Sequence, residues 1–268
     1  MNTFPIGVFD SGVGGLTAVK ELNHLVPQED IIYFGDTARV PYGTRDNKTI
    51  IEYAKQDINF LLSKNVKLII AACGTVSSVL NKEHIKHLNV PYFGVVESTA
   101  ISSVNKTKNK KIGVIGTNAT IRSGSYEKAI KKIDASIEIY SKSCPLFVPL
   151  VENGHISDDD LITKMVAEKY LKEIKENNID TLILGCTHYP IIANIIKDVM
   201  GDNVQLIEPG KEIAKTVLNY LKENDLENNS IDNGNSKYYV SDSIDGFNEL
   251  AKIFLEEYAE DSVKQVKI

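Results

Sequence analysis

Leu182-Ile183-Leu184-Gly185-Cys186-Thr187-His188-Tyr189-Pro190 decides how this chain is read. An apolar run ends in a small residue, then a thiol, a hydroxyl and an imidazole. A short continuous apolar run bounded by turn residues reads as a buried strand. Apolar spacing over 191–200 predicts a helix just past it. Cys186 then sits at a strand's carboxyl end, close to a helix N-terminus. Open α/β sheets bind ligands at such ends, and a helix N-terminus lowers a thiol's pKa.

The pattern occurs twice. Leu68-Ile69-Ile70-Ala71-Ala72-Cys73-Gly74-Thr75 is also an apolar run ending in a small residue, a cysteine and a threonine two positions on, with a helical pattern over 76–88. Burial alone explains many free cysteines. A matched pair, each with a hydroxyl residue nearby, points instead to two related halves that each present one thiol.

The rest of the chain alternates strand and helix patterns. Residues 5–10 read as a strand, Ser11-Gly12-Val13-Gly14-Gly15 as a glycine-rich turn and 16–26 as an amphipathic helix. The turn is a poor dinucleotide fingerprint, because the third glycine would fall at Thr17. It suits a small carboxylate, held by exposed backbone N–H groups. Asp10 at the strand's end can act as a base or bind an amine. Strands follow at 30–35, 66–72 and 91–96, the last ending at Glu97-Ser98-Thr99. Asp46 is read as the N-cap of a helix running to about residue 64.

Residues 106–111 form a basic, polar linker. Lys111-Ile112-Gly113-Val114-Ile115-Gly116-Thr117 then echoes the opening strand, a second correspondence in the same order as the cysteine strands and consistent with internal duplication. Residues 137–140 read as a strand. Residues 144–152 contain two prolines and are no central strand. A helix is expected over 157–177 with Ser157 as N-cap, then strands at 179–185, 204–208 and 237–240, with helices at 211–222 and 243–258. This alternation defines an α/β class with largely parallel sheets. We expect two pseudo-symmetric doubly wound domains with the active site in the cleft between them.

Composition sets the bounds. The 268 residues are 43% hydrophobic and 25% charged, ordinary for a globular protein. Three scattered cysteines make no disulfide framework and favour a reducing compartment. The start has no basic segment followed by an apolar one, so no signal peptide is expected. No apolar run reaches the roughly 18–20 residues of a membrane span. A net charge of −6 gives no support to nucleic-acid binding. The only arginines, Arg39, Arg45 and Arg122, fall in or beside the motif loops. Steering an anionic substrate competes there with ordinary structural roles.

Two thiols across a cleft suit redox chemistry, a metal site with His188, covalent catalysis, or proton transfer on both faces of a carbon acid. A redox pair is usually Cys-x-x-Cys, and zinc needs more ligands at recognisable spacing. Two-base transfer fits the duplication best, because pseudo-symmetric halves place equivalent groups on opposite faces of a substrate. Asp10, Glu152 and His188 are candidates to take protons from the thiols. No pyridoxal or nicotinamide signature accompanies them, so no cofactor is expected.

These residues resemble the glutamate racemases of the aspartate/glutamate racemase superfamily. The resemblance spans nearly the whole chain, through Asp10-Ser11-Gly12-Val13-Gly14-Gly15, Gly35-Asp36-Thr37-Ala38-Arg39-Val40-Pro41-Tyr42-Gly43, Ala72-Cys73-Gly74-Thr75, Gly116-Thr117-Asn118-Ala119-Thr120, the segment 144–152 and Gly185-Cys186-Thr187-His188-Tyr189-Pro190. It implies that Cys73 and Cys186 are the acid/base residues, tuned by Asp10, Glu152 and His188. It implies substrate contacts from Asp10, Ser11, Tyr42, Gly43, Gly74, Thr75, Thr117, Thr187 and His188. It implies D-glutamate for peptidoglycan, a bacterial cytoplasm and a homodimer. The expected domains are 1–97 plus 208–268, carrying Cys73, and 98–207, carrying Cys186.

Three departures stand out. Gly74 replaces the family's usual Asn between Cys73 and Thr75, removing an amide that would bind substrate. Losing one partner of a buried polar contact costs about 1–3 kcal/mol, so aspartate or another small acid is an alternative substrate, and a weakly catalytic binding protein a second alternative. Glu97-Ser98-Thr99-Ala100 stands where Glu-Pro-Gly-Ala is usual, and Glu208-Pro209-Gly210 where Asp-Ser-Gly is common.

Overall fold

The apolar runs become the central strands of two parallel sheets. The computed structural model describes residues 3–255 and 262–268. The strands are β1 (Ile6–Asp10), β2 (Ile31–Gly35), β3 (Leu68–Ala71), β4 (Tyr92–Gly94), β5 (Lys111–Gly116), β6 (Glu138–Ser143), β7 (Thr181–Gly185), β8 (Gln205–Ile207), β9 (Ser236–Val240) and β10 (Val263–Gln265). One sheet runs in the order β10-β9-β2-β1-β3-β4 and the other β6-β5-β7-β8. All pairings are parallel.

The duplication read from the sequence is a duplication of topology. β2-β1-β3-β4 and β6-β5-β7-β8 have the same strand order, with β1 matching β5 and β3 matching β7. In each half the chain leaves the first strand to one side and returns on the other. The crevice of such a sheet opens at the carboxyl ends of the two strands flanking that reversal. Those ends carry Asp10 and Cys73 in one half, Thr117 and Cys186 in the other.

β1, β2, β3 and β7 are buried along their whole length. Helices cover both faces of such strands, which is why they read as unbroken apolar runs rather than alternating ones. Each buried Leu, Ile or Phe contributes about 1.5–3 kcal/mol. The helices Val95–Lys106 and Pro209–Glu223 carry the chain from one half to the other and back. They are joined by an ion pair, Lys106 Nζ to Glu212 Oε1 at 3.0 Å. No helix among the described residues is long and apolar enough to cross a membrane.

Several boundaries differ from expectation. Glu97, Ser98 and Thr99 do not end a strand; they lie in the first turns of the helix Val95–Lys106. Gly94 ends the strand, and the Ser98 and Thr99 hydroxyls bond back to the Val95 carbonyl. The apolar sequence runs through this junction without a break, which hides it. The long helix after β6 starts at Leu161, not 157, because Asp160 rather than Ser157 accepts from Thr163 N, at 2.8 Å. Residues 76–88 form two short helices, Gly74–Val79 and Lys82–Ile85, the second restarted by the Asn81 cap. The proline-bearing stretch forms a helix, Phe147–Glu152, with Pro149 in its first turn, where no N–H is needed. The last helix is Ile244–Phe254, capped by Ser243; residues 256–258 of the expected helix lie outside the described residues. β10 had no counterpart in the sequence reading.

Candidate active site

β1 delivers Asp10 into the cleft and the glycine-rich turn folds around it. Gly12 N donates to Asp10 Oδ2 at 3.0 Å. From behind, the buried Tyr33 hydroxyl donates to the Gly12 carbonyl at 2.7 Å. Cys73 follows β3 and caps the helix Gly74–Val79. Its Sγ lies 3.4 Å from Ser11 Oγ. Burial, reinforced by the Asp10 charge, pushes the Cys73 thiol up to about 12, against the pull of the Ser11 hydroxyl. Burial also raises the Asp10 carboxyl, and the nearby His188 charge limits that rise.

The second half presents Cys186 at the end of β7, with Thr187 and His188 on the turn beyond. His188 Nε2 is 2.8 Å from Glu152 Oε1, and Glu152 is the last residue of the helix Phe147–Glu152. Burial works against charge on His188. Hydrogen bonds to Cys186 and Glu152 outweigh it and raise the ring to about 10. These partners favour the protonated, imidazolium form of the ring beside Cys186. The Phe254 ring stands edge-on to it, with centroids 5.2 Å apart.

The two halves touch at the mouth. Gly14 of the first half lies against Thr187 and His188 of the second, and a Cβ at position 14 would come to 2.2 Å of Thr187 Oγ1 and 2.6 Å of His188 Nδ1. Thr75 and Thr117 hydroxyls meet at 2.9 Å, and Thr117 Oγ1 is 3.0 Å from Thr120 Oγ1. Gly43 packs on the Thr117 side chain. The structure thus gathers Asp10, Ser11, Cys73, Gly74 and Thr75 opposite Thr117, Cys186, Thr187 and His188, each group at the carboxyl ends of its own sheet, with Glu152 reaching His188 from the end of a helix.

Tyr42 is placed differently. Its phenol is buried in the first half, donating to Asp36 and lying 3.3 Å from Asp57 Oδ2. Only its main chain is left to face a ligand. Arg39 closes this network, with Nη2 3.2 Å from Asp57 Oδ1 and its guanidinium 4.1 Å over the Tyr53 ring. Arg39 is thus a brace for the loop after β2, not a free steering charge. Tyr33, Asp57 and Phe254 were missed in the sequence. Asp57 lies within the helix Asn47–Leu62, and only the packing shows it turned inward.

The chain belongs to the Asp/Glu/Hydantoin racemase family, whose profile matches residues 6–217. It is an amino-acid racemase, an isomerase. It is 48% identical over 260 residues to a glutamate racemase of Thermoanaerobacter pseudethanolicus, covering 97% of this chain and 96% of that one. Among solved structures, a glutamate racemase isoform from Bacillus anthracis matches with a TM-score of 0.95 at 32% identity, covering 100% of this chain and 99% of that one. A glutamate racemase from Francisella tularensis, in complex with D-glutamate, matches with a TM-score of 0.91 at 40% identity, covering 100% and 98%.

Proposed function

We propose that this chain interconverts L- and D-glutamate by proton transfer between Cys73 and Cys186, with no cofactor. The observation that carries this reading is the pair of equivalent strand ends, each bearing a cysteine beside its own proton-handling group. Those groups are Asp10 and Ser11 for Cys73, and His188 with Glu152 for Cys186. The similarity to glutamate racemases supports glutamate as substrate.

One sulfur, as thiolate, takes the α-proton and becomes a thiol. The electron pair it leaves behind delocalises into the substrate carboxylate, giving a planar carbanion. The thiol on the opposite face gives up its proton to that carbon and becomes a thiolate. Asp10 receives the Cys73 proton before the reaction in one direction. The imidazolium of His188, held by Glu152, stabilises the Cys186 thiolate in the other. Hydroxyls of Ser11, Thr75, Thr117 and Thr187 and the main chain of Tyr42, Gly43 and Gly74 bind the substrate.

The reading extends to domains at 1–97 plus 208–268 and 98–207, supported by the two sheets. It includes a homodimer, as the sequence resemblance implies, and D-glutamate made for peptidoglycan in a bacterial cytoplasm, where free thiols persist.

The test is incubation of the purified protein with L-glutamate, D-glutamate and L-aspartate separately in D2O, following α-proton loss by NMR together with optical rotation. Exchange with racemisation of glutamate alone is expected. Exchange with aspartate instead would keep the chemistry and change the substrate; no exchange from folded, reduced protein would overturn the reading.

A further inference from the structure

We infer that Gly74 is a positioning residue that sets how closely the two thiol-bearing strand ends approach, an inference that rests on the two-thiol reading above. Gly74 follows Cys73 directly and begins the helix Gly74–Val79. A Cβ built on it would stand 2.4 Å from the carbonyl oxygen of Gly185, 3.3 Å from that carbonyl's carbon and 3.9 Å from the Cα of Cys186. All three atoms are backbone. Gly185 ends β7, and Cys186 is the residue that strand delivers.

A contact of 2.4 Å cannot be relieved by turning a side chain, because no side chain is involved. The Gly185 peptide is held in turn by its own sheet. Gly185 pairs with Gly116 of β5, and a Cβ at 185 would come to 2.6 Å of the Ile115 carbonyl oxygen. The strand end is therefore tied to β5 and cannot retreat into its own half without disturbing that pairing. A Cβ at 74 is accommodated only if one of these two backbones shifts, and a shift that separates the halves acts directly between Cys73 and Cys186. The Thr75–Thr117 hydroxyl contact, one residue further on, would open with it.

The chemistry is sensitive to this distance in one specific way. Removing the α-proton needs one thiolate close to carbon. Inversion needs, in addition, the opposite thiol close enough to return a proton before the first sulfur does. Widening the gap leaves the first event possible from either side and slows the second. The lost Asn amide at this position is thus not the only difference glycine makes: the absence of its Cβ brings the two strand ends together.

The experiment uses Gly74→Ala and Gly74→Asn in D2O, measuring α-deuterium incorporation into unreacted substrate and inversion in the same sample. Displacement of reacting groups by about 1 Å costs on the order of a hundredfold. Racemisation should fall by about that factor in Gly74→Ala, while the ratio of exchange without inversion to inversion rises at least severalfold in both variants, Asn regaining its amide contact but not the close approach. An unchanged ratio in both variants, with activity kept or lost, overturns the inference. So does failure of both to fold, since halves that open to admit a substrate can open for one carbon atom. Cys73→Ser and Cys186→Ser are run alongside. Full racemisation by either would sink the two-thiol reading itself, whatever Gly74 does.

Discussion

His188 Nε2 and Glu152 Oε1 stand 2.8 Å apart, tying the turn after β7 to the end of a helix that belongs to a different connection of the same half. The pair keeps a positive ring beside Cys186. Replacing Glu152 with Gln keeps the shape and removes the charge. The His188 pKa, followed by NMR of the ring protons, should fall from about 10, and kcat/KM for glutamate should fall on the order of a hundredfold at neutral pH.

The same pair makes stability depend on pH. A group whose folded pKa is raised adds stability that is complete below its unfolded value and is lost as pH rises through the folded one. For His188 that window runs from 6.5 to about 10. For Cys73, raised from 9.0 to about 12, it lies higher. The melting temperature should therefore fall between pH 7 and pH 10, by about 2–4 °C for each kcal/mol lost. In His188→Asn the fall over that range should be visibly smaller. Equal slopes for the two proteins would show that the imidazolium is not held as described.

Gly14 offers a test of closure from the opposite rim. A methyl group at this position meets Thr187 Oγ1 at 2.2 Å and His188 Nδ1 at 2.6 Å. Gly14→Ala should fold with a near-normal melting temperature and lose on the order of a hundredfold in kcat/KM. A large drop in melting temperature would mean that Gly14 matters to folding instead of to the closed cleft.

The buried network behind the loop after β2 should carry stability. Tyr42→Phe removes the hydroxyl that donates to Asp36 and leaves that carboxylate with Arg39 Nε and Ser241 Oγ as its donors. The cost should be about 1–3 kcal/mol in urea unfolding, with the D2O exchange-to-inversion ratio unchanged because the thiols are not moved.

What the sequence disclosed follows from what parallel sheets demand. β1, β3, β5 and β7 were visible because strands covered on both faces need unbroken apolar runs, and the thiols were visible because they end two of those runs. Asp46 was legible as a cap because its carboxylate accepts from Thr49 N within the same turn, at 2.9 Å. The start of the helix at Val95 was not, since Val95 and Val96 suit a strand as well as a helix and only packing decides between them. Asp57 and Tyr33 were not, since their partners lie far away in sequence: Asp57 reaches Arg39 and Tyr42, and Tyr33 reaches Gly12. Sequence pattern reports which face is covered. It does not report which buried polar atom finds which other.

The repeated strand order of the two halves has a kinetic meaning. Enantiomers have equal free energies in water, so a racemase's equilibrium constant is unity and its kcat/KM must be the same in both directions. The fold comes near to matching that symmetry, with one sulfur on each equivalent strand end. Its flanking groups do not, since a carboxyl serves one side and an imidazolium the other. That inequality cannot bias the product. It can only divide the common kcat/KM differently for the two substrates, so that the enantiomer bound more tightly is also the one turned over more slowly.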